Sequence, residues 1–127
     1  MTTRVLLSRR DLRMHGQAEQ REARARGLHS EAERLRGLAR LLRAEADQID
    51  QLSFGIARRI TPEVWLGKAA VRRHAQAQDE RARAAVAAGE LEDIAADLLR
   101  EAARLEEEAA GLRQRARLER WTSELIS

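Results

Sequence analysis

Thr61-Pro62-Glu63-Val64-Trp65-Leu66-Gly67-Lys68-Ala69-Ala70 carries the only proline of the chain and one of its two tryptophans, and it is the only break in two long helical patterns. Threonine followed by proline is a helix-start signal. Thr61 caps the orphan N–H groups, Pro62 takes the first helical position, where its missing N–H costs nothing, and Glu63 suits the positive helix end. Gly67 lets the backbone turn, or lets a neighbour approach where a Cβ would not fit. The stretch therefore predicts a short helical turn through Trp65, a bend near Gly67, and a long helix from Lys68.

Outward from this break, both flanks carry apolar residues on a 3-4 spacing. In the first arm one set runs Met14, Leu28, Leu35, Leu42, Ile49 and Ile56, with Arg21 as the exception. The other runs Ala18, Ala25, Ala32, Ala39 and Ala46, then Ser53 and Ile60. The second arm repeats the scheme, with Ala77, Ala84, Leu91, Leu98, Leu105 and Leu112 on one edge and Ala88, Ala95, Ala102, Ala109 and Ala116 on the other. Such a repeat is a coiled-coil seam rather than the face of a globular helix.

If the chain folds back, a large residue on one arm is expected opposite a small one on the other. Leu28 with Ala102, Ala32 with Leu98, Leu35 with Ala95, Ala39 with Leu91 and Leu42 with Ala88 have residue numbers that all total 130, which centres the fold-back on Trp65. The predicted fold is therefore all-α: an antiparallel two-helix hairpin over 1–127, with arm one at about 8–60, a turn at about 61–67 and arm two at about 68–123. Each arm of roughly 50 residues is about 75 Å long.

Composition agrees with long helices. Of 127 residues 35% are charged and 43% hydrophobic, but only 2% are aromatic, so alanine and leucine supply the apolar surface. Cysteine is absent, which excludes a disulfide framework and a thiolate nucleophile. The formal charge of +3 is spread, with 13 bases and 8 acids in residues 1–60 and 11 and 13 in 61–127, too mixed for a polyanion-binding tail. Val5-Leu6-Leu7 is far short of a secretory apolar region or a membrane span. The expectation is a chain that stays in the cytosol or leaves it without a cleaved leader.

A two-helix layer is thin, and the edges of the seam differ. One carries Leu38, Leu41, Leu52, Ala87, Ile94 and Leu118; the other carries mostly Arg36, Arg43, Asp50, Glu92, Glu106 and Arg113, with Leu99. The first edge, with Leu38, Leu41, Leu52, Ala87 and Ile94 at its centre, is the candidate dimer face. Burying it predicts pairing into a four-helix bundle. Arg21 and Arg81 depart from the seam and are expected to snorkel outward or to meet a partner's carboxylate. His15, His29 and His74 are too far apart to form a metal set, and Glu106-Glu107-Glu108 reads as a solvated face. No nucleophile triad, phosphate loop or carboxylate pair is arguable, so neither an enzyme nor a cofactor nor a small-molecule substrate is expected.

Two alanine-rich helices about a central Trp65-Leu66-Gly67, with Pro62 before it and Ala69-Ala70 after it, resemble the WXG family of early-secretory-antigen-like hairpins. These are small leaderless proteins associated with type VII (ESX) secretion in Gram-positive bacteria. The resemblance covers most of the chain as architecture and Pro62 to Ala70 as motif. It implies that Pro62, Trp65 and Gly67 form a signature turn used in partner contact. It also implies a homodimer or a heterodimer with a similar hairpin, and traffic with a secretion ATPase or a larger toxin substrate. The expected location is the cytoplasm before export. The family's Tyr-x-x-x-Asp/Glu export signal is missing, since the chain has no tyrosine and Trp121 with Glu124 has the wrong spacing. The arms are longer than is usual in the family, which leaves room for escorting a toxin. The alternative is a cytosolic coiled-coil scaffold or nucleic-acid-associated protein using the arginine-rich first arm. Interspersed acids and the lack of stacking aromatics argue against nucleic acid.

Overall fold

Alanine decides how the helices of this chain meet. In the computed structural model the backbone is described at residues 9–59 and 67–126, and side chains at 13, 15–55 and 67–126. Helix α1 spans Arg9–Arg59 and helix α2 spans Lys68–Ile126. They form an antiparallel helical hairpin, and no strand occurs among the described residues. Few breakers interrupt either helix, and alanine, leucine, glutamate and arginine are the strongest helix formers. α2 begins where the sequence places it and runs three residues beyond the expected end. Pro62 and Trp65 of the predicted turn lie outside the described residues.

Two compact units divide the chain. The first combines Met1–Leu35 with Arg100–Ser127, and the second is Arg36–Leu99. In the first unit the buried set is Ala18, Ala25 and Ala32 with Leu35 on α1, and Ala102, Leu105, Ala109, Ala116 and Ser123 on α2. In the second it is alanine alone: Ala39 and Ala46 on α1, and Ala70, Ala77, Ala88 and Ala95 on α2. The predicted alanine edge is thus the buried line. The leucine edge borders it, for Leu28 and Leu112 in the first unit and Leu42, Leu91 and Leu98 in the second are only half-buried. A methyl group permits close backbone approach, and a leucine beside it has protein on one side only. Each buried methyl contributes about 0.8 kcal/mol, so stability rests on the number of such contacts.

In the first unit the register sits higher than the expected total of 130. The residue numbers of the cross-helix pairs Arg24–Glu108, His29–Glu106, His15–Ser123, Arg21–Glu119 and Glu22–Arg120 all exceed that total. Part of the excess is geometric, because side chains lean toward their own helix N-terminus, so antiparallel partners both lie beyond the contact point. The rest points to alanine facing alanine. Ala18 with Ala116, Ala25 with Ala109 and Ala32 with Ala102 share one total, and it lies within the range of the polar pairs.

Candidate partner-docking surface

The predicted dimer face is open to solvent in the second unit. Leu38 is 40% exposed, Leu41 68%, Leu52 62% and Ile94 49%, and Ala87 is exposed as well. Helical spacing sets these residues beside the alanine line on one edge, where half-buried Leu42, Ile49, Leu91 and Leu98 extend the apolar strip inward. The other edge of this unit carries Arg36, Arg43, Asp50 and Glu92 with half-buried Leu99. A partner helix that covered the leucine edge would bury this apolar area, with Glu45 and Glu80 as the charges on the same edge.

A cleft of about 270 Å³ opens on the apolar edge, walled by Ile49, Leu52, Ala77 and Ala84, with Glu80 at its rim. Its origin is legible: Ala77 and Ala84 stand where later heptads of α2 carry leucine, so the row lacks two large side chains. Arg81, which also touches the cleft, turns its guanidinium onto the Phe54 ring, 4.7 Å from the centroid. The predicted outward path of Arg81 ends in this cation–π contact.

Gly67 is exposed, with a φ of 103°, and its carbonyl accepts the first bond of α2 from the Val71 N–H at 3.2 Å. Among the described residues a Cβ here would meet nothing within 4 Å. Of the two predicted reasons for glycine, backbone turning applies and close approach does not.

In the first unit polar pairs flank the alanine line. Arg21 donates to Glu119 across 3.0 Å, so the carboxylate that this arginine meets comes from its own chain. Arg120 donates to Glu22 at 2.9 Å, Arg24 to Glu108 at 3.2 Å, and His29 Nδ1 contacts Glu106 at 2.6 Å. His15 Nε2 lies 3.2 Å from the Ser123 hydroxyl. Within single helices, hydrogen bonds from Arg34 to Glu31 and from Arg104 to Glu101 hold both carboxyls below the ordinary 4.5.

Sequence reading placed Leu118 on the apolar edge and left Trp121 between a docking residue and a fraying end; in the first unit the two belong to one exposed stripe with Leu125. Leu118, Trp121 and Leu125 are exposed by 55%, 60% and 66% at i, i+3 and i+7 along α2. The same outward face carries Arg100, Arg104, Glu107 and Gln114 earlier in the helix, so the switch to apolar residues was the available signal.

Among the described residues no group of three or more acidic, histidine or cysteine side chains is placed to hold a metal ion, and no helix is long and apolar enough to cross a membrane. The class these features define is an alanine-seamed helical hairpin with an exposed apolar edge. No family model, no curated protein and no solved structure matches the chain.

Proposed function

We propose that this chain is a non-enzymatic helical-hairpin partner protein of a type VII secretion system. In this reading it pairs with a second hairpin into a four-helix bundle and leaves the cell, or escorts a larger substrate. The observation that carries the pairing is the exposed leucine edge of the second unit.

The secretion assignment rests on the resemblance at Pro62, Trp65 and Gly67, and the left-handed Gly67 supports a turn at the end of that motif. The nucleic-acid alternative loses support, since Arg21, Arg24 and Arg34 of the first arm each hold a carboxylate. The test is export from the native host before and after deletion of its type VII ATPase. Loss of the protein from the medium, with accumulation inside the cell, is expected; equal export in both strains contradicts the assignment.

A further inference from the structure

We infer that the occupant of the cleft between Ile49, Leu52, Ala77 and Ala84 is the Leu118–Trp121–Leu125 stripe of a second copy of this chain. The inference rests on the pairing reading above and names the partner and the contact. The cleft, at about 270 Å³, lies below the roughly 300 to 1,000 Å³ of small-molecule sites and suits one or two bulky side chains. The stripe offers such side chains on a helix whose opposite face is already fixed, with Ala116 and Ser123 buried.

Charge agrees with the match. Beside the stripe exposed Arg115 and Arg117 outnumber Glu124, while Glu80 stands at the cleft rim and Asp50 beside Phe54 next to it. Arg81, the cation at the same rim, is turned onto Phe54. Stripe and cleft are different surfaces of one chain, so a closed pair requires a two-fold axis that makes the contact twice. A lipid surface fits the stripe less well. Glu124 lies beside its apolar band, where an anionic bilayer repels it.

The chain has no cysteine, so single-cysteine variants report contacts directly. Leu125→Cys keeps Leu118 and Trp121 in place. It is mixed with a size-tagged Ala84→Cys chain, or with Ala77→Cys on the same α2 wall, and oxidised with copper phenanthroline. The expected product is the mixed disulfide dimer, well in excess of either like-with-like dimer. If sedimentation reports a dimer but the mixed disulfide does not exceed the others, this contact is wrong and pairing through another face stands. If the chain is monomeric, both readings fail; Trp121-dependent binding to phosphatidylserine vesicles would then assign the stripe to membrane.

Discussion

Arg21 and Glu119 lie 3.0 Å apart across the two helices, an ion pair at a heptad position that elsewhere on α1 holds methionine, leucine or isoleucine. Glu119 is the more enclosed partner, and its second carboxylate oxygen is buried without a hydrogen-bond partner. A group in that condition depends on the arginine for its charge balance. Arg21→Ala is therefore expected to destabilise the fold by about 1 to 3 kcal/mol in urea melts, and adding Glu119→Leu to recover most of the loss. A loss under about 0.5 kcal/mol for the single variant, the range of an ordinary surface change, contradicts the reading.

Alanine in the buried line is a packing requirement, since Ala25 and Ala109 are wholly enclosed. Ala25→Leu forces the helices apart and is expected to cost about 1 to 3 kcal/mol. On the leucine border the opposite change scales with burial. Leu35→Ala, at 8% exposure, is expected to cost about 2 to 5 kcal/mol and half-buried Leu98→Ala less. Thermal melts that rank Leu98→Ala above Leu35→Ala would reverse this order.

Gly67→Ala introduces no clash, yet a φ of 103° is strained for any side chain. The expected loss is about 1 to 2 kcal/mol, with helix content by circular dichroism unchanged at low temperature. An alanine variant as stable as the parent would place the turn elsewhere.

Acid is expected to weaken the helices through Glu31 and Glu101. Their carboxyls bind protons less readily when folded, because Arg34 and Arg104 donate to them. The unfolded chain therefore binds more protons, and stability rises with pH through that range. The contribution is complete above the ordinary carboxylate value and is lost as pH falls through the lowered one. Both carboxylates are open to solvent, with 43% and 46% of their side-chain surface exposed, so the effect is small and salt-sensitive. The Glu31→Gln, Glu101→Gln double variant is expected to show a flatter acid limb in melts; identical limbs would contradict this.

The heptads of alanine were legible because a strict seven-residue spacing survives across α1 and across the later half of α2, and each of Ala18, Ala25, Ala39, Ala46, Ala95, Ala102 and Ala116 is buried. Ser123 extends the same series by one step. The leucine layer was less legible, since periodicity marks the edge but does not say how far two backbones approach. Small residues bring them close and leave Leu28 and Leu42 at the border. Polar contacts such as His15 with Ser123 depend on a stagger of a few residues, which apolar patterning does not fix. The exposed leucine edge was readable from one-sided leucine, and the stripe only in part: Leu118 falls on that edge, whereas Trp121 faces away from the seam.

Pairing through the leucine edge is tested most directly by sedimentation equilibrium of the full chain beside the Leu38→Glu, Ile94→Glu double variant. The parent is expected at about twice 14.4 kDa, and the variant, with its helices intact, at the single-chain mass. A parent that sediments as a monomer across the micromolar range, or a variant of unchanged dimeric mass, contradicts the account.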